Sequence, residues 1–535
     1  MSNHPEHSYE MDKMKAPYFQ LFIILLGAFM AVLDTSVVNV AIPTMETELN
    51  ANTDQIQWVI TGYMLTTGVL IPVSGWLMDK IGPKKLFLFS LVVFTIGSAL
   101  CGAAWNLNSE IAFRILQAIG GAFTLPVAMA MIYRIFPPEK RGMVMGMFGI
   151  VIMVAPAFGP ALSGYLVEYT TWRLIFYLNV PIGIAATFFA TFMLHEFSHQ
   201  TKGKLDLWGF SLTITGFFLL LYGFNEVSTD GWTSITVVSC LALGTSCLIM
   251  LVFVELFTEN PIIELRVLKN YMFSVSLVIT SILNVALFVG IFLLPLYLQN
   301  VMGFSALRTG LFMTPAAIAS AIMMLVGGKL FNIVGARVLG IVGVGTLTLG
   351  TYGFCWMGLD TTSAYIQTLY IVRSLGMGLA MMPITTEGMN AVPIQHVAQG
   401  TALSNTTRQI ASSLGTAVLT SYWSTHSTKH IAELSNALTP SSPTGIQMSV
   451  YQSSLEASGM SPTQAHLEAL LSIHGWISRM GFVDGLNDTF FVSTILAFAA
   501  VVVTCFFGSR KARERRMQHA AARSRAASTS PALSE

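Results

Sequence analysis

Fourteen stretches of this chain are long and apolar enough to cross a bilayer, and no other feature restricts its fold so tightly. They run approximately over 18–41, 56–78, 86–105, 110–134, 142–167, 173–194, 207–225, 233–256, 272–298, 306–330, 337–358, 362–385, 397–423 and 487–507. In hydrocarbon every backbone N–H and C=O needs a partner inside the protein, and a helix of about 20 residues supplies them across the membrane. Barrel strands would be about 10 residues long and alternate in polarity, which these runs do not. The fold class is therefore all-α integral membrane, with 14 transmembrane helices. Composition agrees: 53% of residues are hydrophobic and 10% charged, against about 25% charged in soluble domains. A net charge of +1 gives no electrostatic reason to bind nucleic acid. The cysteines (Cys101, Cys240, Cys247, Cys355, Cys505) lie in or at the ends of apolar runs without a CxxC pair. They indicate neither a disulfide framework nor a metal site.

Bases set the orientation. Lys13 and Lys15 precede span 1, Lys80, Lys84 and Lys85 follow span 2, and Arg134, Lys140 and Arg141 follow span 4. Lys202 and Lys204 follow span 6, Arg266 and Lys269 follow span 8, and Lys329 and Arg337 flank the turn after span 10. Arg510, Lys511, Arg513, Arg515 and Arg516 lie in the tail, whereas 42–55 carries acids and no base. Positive charge stays on the cytoplasmic side, so both termini are expected there and the number of spans is even. The polar N-terminal segment lacks the apolar core of a secretory signal and is expected to be retained.

An internal repeat divides the bundle. The turn Gly75-Trp-Leu-Met-Asp79-Lys-Ile-Gly82-Pro-Lys84-Lys85 reappears as Gly328-Lys-Leu330-Phe-Asn332-Ile-Val-Gly335-Ala-Arg337, at one constant offset. The first copy follows span 2 and the second follows span 10, and Arg114 in span 4 matches Arg373 in span 12. An eight-span shift implies two pseudo-symmetric six-helix bundles with an inserted helix pair, spans 7 and 8. The expected organisation is a cytoplasmic tail (1–17), an N-terminal bundle (18–195), a linker with the inserted pair (196–271), a C-terminal bundle (272–507) and a basic tail (508–535). Within the second bundle, 424–486 forms a long outer loop. There Ser461-Pro462-Thr463-Gln464 has the form of a capping box with proline at the first helical position. It predicts a helix ending near Gly481, which packs on the outer face, forms a membrane-surface lid or docks a partner.

Charges inside spans cost at least a few kcal/mol and point to function. Asp34, in Leu33-Asp34-Thr35, must face a cavity or a partner. It is a candidate proton carrier or cation receptor, or else a helix-packing hydrogen-bond acceptor. Arg114 and Gln117 share one face of span 4, with Gly120 and Gly121 allowing close approach. Arg114 tunes a nearby carboxylate or serves as a fixed counter-ion. Gly159, Pro160 and Gly164 interrupt span 5 and suit a hinge or ordinary helix packing. Arg408 is too deep to be a topology signal, and Glu387 at the end of span 12 is a solvated acid or a second coupling site. Asn39, Tyr63, Gln117, Phe288 and Phe292 are candidate cavity residues. Gly75, Asp79, Gly82, Lys84 and Lys85 form a candidate gating turn. No nucleotide loop, nucleophile elbow or metalloprotease motif occurs, so no enzyme and no cofactor is indicated, and an ion gradient remains the simple energy source.

These motifs resemble a known group. The Gly75–Lys85 turn is similar to the signature loop of the major facilitator superfamily, and Arg114-xx-Gln117-xx-Gly120 to its fourth-helix motif. Gly159-Pro160-xx-Ser163-Gly164 resembles the fifth-helix motif of its drug antiporters. Leu33-Asp34-Thr35 through Pro43, Trp172 through Gly183, Pro295 through Gln299 and Asn405 through Gln409 look like the fourteen-helix drug:proton antiporters of the EmrB/QacA type. The long loop leans towards the EmrB-like branch. Lys80, Pro83, Ala155 and Ser163 depart from the usual residues. The resemblance implies alternating access in a bacterial cell (inner) membrane, and export of bulky amphipathic or cationic drug-like compounds in exchange for protons. A periplasmic adaptor protein serves EmrB-like members. The alternatives are export of one metabolite, peptide or siderophore, and a non-transporting membrane sensor.

Overall fold

The computed structural model describes residues 17–196, 206–258 and 261–508, and all regular structure among them is helical. The expected tails 1–17 and 508–535 and the bases Lys202 and Lys204 lie almost wholly outside the described residues. In chain order the helices are α1 (Pro17–Glu48), α2 (Thr53–Leu70), α3 (Ser74–Ile81), α4 (Pro83–Gly102), α5 (Leu107–Ile135), α6 (Pro138–Tyr169), α7 (Leu174–Tyr177) and α8 (Asn179–Met193). The inserted pair is α9 (Leu207–Asp230) and α10 (Ile235–Phe257). There follow α11 (Tyr271–Phe288), α12 (Leu294–Asn300), α13 (Ala306–Val334), α14 (Ala336–Gly353), α15 (Ser363–Asn390), α16 (Val397–Asn436), α17 (Pro443–Ala457) and α18 (Pro462–Cys505). A one-turn 3₁₀ segment joins α2 to α3, and a π-helical segment, Val289–Leu293, joins α11 to α12.

Thirteen spans among the described residues are long and apolar enough to cross a membrane. The expected span at 397–423 is missing from that set although its helix, α16, is present. Gln399, Asn405, Arg408 and Gln409 make it too polar to register. It packs against α5, α11 and α18, and a helix shielded from lipid can carry such side chains.

Local chemistry explains where the helices begin. Asn52 and Asn106 cap α2 and α5 through reciprocal boxes with Gln55 and Ser109. Ser461 caps α18, with Pro462 in the first turn. Both copies of the repeated turn close on a glycine of positive φ, Gly82 at 94° and Gly335 at 88°. A side chain there would be strained, so the sharp reversal needs glycine. Two further glycines at the repeat's offset, Gly97 and Gly350, hold matching helix pairs together. A Cβ on Gly97 would lie 2.7 Å from the Gln117 nitrogen, and one on Gly350 2.7 Å from the Arg373 nitrogen.

The halves meet along α6 and α13. Gly142 and Gly146 of α6 bring it onto the α13 backbone, where a Cβ would lie 2.7 Å from the carbonyl oxygens of Gly328 and Met324. The inserted helix α9 packs on both halves, through α2 and α16, while α10 lies outside it with most of its surface uncovered.

The segment 424–486 differs from expectation. It is mostly helical rather than loop: α16 continues to Asn436, α17 follows, and α18 starts at Pro462. Gly481 does not end a helix. It lies inside α18 and is buried against Ile431 of α16, where its missing side chain permits close helix approach. The last membrane helix and the predicted outer helix are thus one element.

Candidate functional site

Asp34 sits in mid-α1 and is fully buried. Its Oδ2 accepts from Arg114 Nη1 of α5 at 2.7 Å. Its Oδ1 accepts from Gln117 Nε2 at 2.8 Å and from Asn179 Nδ2 of α8 at 2.9 Å. The three-residue spacing of Arg114 and Gln117 places both on one face of α5, and Arg114 also donates to Gln117 Oε1 at 2.6 Å and to the Val59 carbonyl at 3.3 Å. Gln117 Nε2 further reaches Ser98 Oγ at 2.6 Å. The guanidinium lies 4.3 Å from the centre of the Tyr63 ring and 5.5 Å from that of Phe176, so aromatic faces cover the charge. Each charge has a partner, as burial demands.

One acid in this neighbourhood escaped the sequence reading. Glu110, one turn before Arg114 on α5, is fully buried, and neither carboxylate oxygen has a hydrogen-bond partner among the described residues. It stands at the very start of an apolar run, where sequence alone does not separate a buried acid from a solvated one. Asn179 was visible as part of the Trp172–Gly183 motif, but nothing in the spacing tied it to Asp34.

The second half buries Arg373 of α15 at the matching place. There it donates to the carbonyls of Ala286 and Leu287 at 3.0 and 3.1 Å and to Thr351 Oγ1 at 3.2 Å. No carboxylate lies within ion-pair distance of it among the described residues.

The repeated turns lie on one face. Gln399 Nε2 of α16 donates to Asp79 Oδ2 at 3.1 Å, and Arg134 Nη2 lies 3.8 Å from Asp79 Oδ1. In the second copy Asn332 Nδ2 donates to the Glu139 carbonyl at 2.6 Å. Arg141 Nη1 donates to Asn390 Oδ1 at 2.9 Å. The bonds of Gln399 to Asp79, of Asn332 to Glu139 and of Arg141 to Asn390 cross between the halves and tie them together on this face. The amides of Lys84 and Lys85 donate to the Glu196 carboxylate, each at 3.2 Å, and Lys84 Nζ donates to the Thr191 carbonyl at 2.8 Å. Gly75 packs against Gln399 and Ala402.

A cavity lies between the halves, lined by Met129, Phe148, Asn284, Met382, Asn405 and Arg408 among others. Arg408 is the one charged side chain in its lining and is held by Asn405 Oδ1 at 2.7 Å. None of the expected cavity residues is among those lining this cavity. Tyr63 and Gln117 belong to the Asp34 cluster, Asn39 is exposed on α1, Phe292 is exposed in the π segment, and the Phe288 side chain lies outside the described residues. Glu387 is half-buried near the end of α15. Gly159 and Pro160 lie within an unbroken α6, with Gly159 seated on Ser36 of α1, and Gly164 faces open space.

The family model of the Major Facilitator Superfamily matches residues 24–416. The chain belongs to the Major Facilitator Superfamily. It is 38% identical to an uncharacterized MFS-type transporter, YhcA of Bacillus subtilis (strain 168), over 92% of this chain and 93% of that protein. It is 30% identical to the multidrug export protein EmrB of Escherichia coli (strain K12), over 88% and 91%. The resemblance to the fourteen-helix drug:proton antiporter family, drawn from the motifs, is thereby borne out. The human organic anion transporter MFSD10 shares the fold, with a TM-score of 0.57 at 12% identity, over 90% of this chain and 100% of that one. The protein is thus a multi-pass membrane transporter of this superfamily.

Proposed function

We propose that this transporter is a proton-coupled exporter of bulky amphipathic compounds, with 18–195 and 272–507 as the two rocking bundles. The observation that carries the reading is the Asp34–Arg114 ion pair, buried at 0% and 2% exposure and apart from the cavity lining. A proton arriving on Asp34 removes the negative charge that holds Arg114. The ties from α1 to α5 and α8 then weaken together, and the N-terminal bundle can repack. Substrate and proton act at separate sites and are linked through α1 and α5, which requires a coupling of about 1–3 kcal/mol. The face of the repeated turns carries Lys80, Lys84, Lys85, Arg134, Lys140, Arg141, Lys329 and Arg337, so we place it in the cytoplasm. Asp79 and Gln399 are its latch.

The chemistry of the lining suits an amphipathic guest once the halves part: methionines and Phe148 offer adaptable apolar surface, and Asn284, Asn405 and Thr385 offer hydrogen bonds. Arg408 favours a second reading, export of one specific metabolite bearing an acidic group. Inverted membrane vesicles given cationic, neutral and anionic amphipathic dyes test both. Uptake of several dyes that collapses with a protonophore is expected. Uptake confined to one anionic compound supports the second reading, and dye uptake unaffected by the protonophore contradicts proton coupling.

A further inference from the structure

We propose that His426, His430 and Asp488 form a binding site for a divalent transition metal of the zinc class, at the end of the bundle away from the repeated turns. The two histidines stand four residues apart on α16, so their rings leave the same face of the helix. Helix α18 runs beside it and presents Asp488 between them. His426 Nδ1 and His430 Nε2 lie 2.8 and 2.9 Å from the same atom, Asp488 Oδ2. The three ligating atoms fall within 4.8 Å of one another. Tetrahedral zinc, with bonds of about 2.0–2.1 Å, spaces its ligand atoms roughly 3.3 Å apart, so an ion could seat here with side-chain shifts under about 1 Å.

The surroundings hold these groups in place. The Tyr422 ring stacks on His426 with centroids 4.0 Å apart. Glu433 Oε2 lies 3.7 Å from His430 Nδ1, the nitrogen that faces away from Asp488. It could close on that nitrogen when the ring binds a metal, as carboxylates behind ligating imidazoles do. The two helices touch on either side of the cluster. Gly485 would place a Cβ 2.7 Å from the Ser427 nitrogen, and Gly481 packs on Ile431. The frame is therefore set by backbone contact and not by the side chains alone. The three residues are half-buried, which leaves a path for an ion and a water to complete the shell. Asp484 stands one turn before Asp488, with His430 and Asp488 in its electrostatic reach. Two imidazoles with one carboxylate suit zinc, nickel or copper, whereas magnesium and calcium prefer all-oxygen shells. A bound ion would staple α16 to α18 about five turns from Arg408.

The test uses the full chain in detergent, free of any affinity tag and stripped with chelator. Zinc titrated by calorimetry should bind at one equivalent, and Co²⁺ should give the intense visible bands of a four- or five-coordinate site. Magnesium should not compete. His430→Ala should weaken zinc binding at least tenfold, and Asp488→Asn, which keeps the shape, should do the same while the protein stays monodisperse. Zinc should raise the thermal midpoint of the unmodified chain and not of His430→Ala. His466→Ala and His474→Ala, on the same helical extension, should leave binding unchanged. Equal zinc affinity in His430→Ala and the unmodified chain would overturn the proposal, as would the absence of saturable binding at one equivalent.

Discussion

Each half of the bundle buries an arginine at the matching place, and the two are neutralised by different chemistry. Arg114 meets a carboxylate, Asp34, backed by Gln117 and Asn179. Arg373 meets backbone carbonyls, Ala286 and Leu287, just before the π-helical segment Val289–Leu293. A π segment shifts the hydrogen-bond ladder by one residue and frees carbonyls to accept elsewhere. Gly290 makes room for the guanidinium against that backbone. A carboxylate can take up a proton and release its partner, and a carbonyl cannot. Under the proposed proton coupling, switching falls to the first half and scaffolding to the second, although their sequence repeat makes them look equivalent.

The sharpest way to break this contrast is to remove each arginine. Arg114→Met strands a buried carboxylate and should destabilise the protein by about 3–5 kcal/mol, read by unfolding in detergent. Arg373→Met leaves neutral carbonyls without donors and should cost about 1–3 kcal/mol. Equal losses would mean that the two sites are electrostatically alike. The repeated turns make a milder pair. Asp79→Asn weakens the contact with Arg134 and should slow export about tenfold, or ~1.4 kcal/mol. Asn332→Ala removes one neutral hydrogen bond and should slow it by no more than about threefold, roughly 0.6 kcal/mol. The smallest effect belongs to Glu110→Gln. A buried carboxyl whose one neighbouring donor is the weak Cys101 thiol is mimicked by the neutral amide, so stability should change by less than about 1 kcal/mol and substrate-driven proton movement should persist. Loss of that movement would transfer the coupling role from Asp34 to Glu110.

Much of the fold was legible because hydrocarbon leaves few options. Apolar run length gave the spans, and the glycines of the repeated turn gave the internal symmetry. A helix does cover 397–423, but its polar side chains keep it out of the thirteen spans apolar enough to cross a membrane. Boundaries in 424–486 failed because Gly481 carries two meanings: glycine ends exposed helices but also lets packed helices touch, and only the partner Ile431 decides. The site was legible in part. Arg114 and Gln117 are close in sequence and share a helical face, whereas Asn179 reaches Asp34 from 145 residues away. Which aromatics line the cavity was not legible, because apolar helices offer many of them and periodicity does not tell which side faces the other half. His426 and His430 carried no metal reading for a similar reason: Asp488 lies 62 and 58 residues beyond them.

The central claim is that proton coupling runs through Asp34. Purified protein reconstituted into liposomes with an internal pH dye reports proton movement when a transported amphipathic substrate is added. The unmodified chain should move protons on substrate addition. Asp34→Asn should still bind the substrate and move none. Proton movement by Asp34→Asn at the unmodified rate would contradict the account.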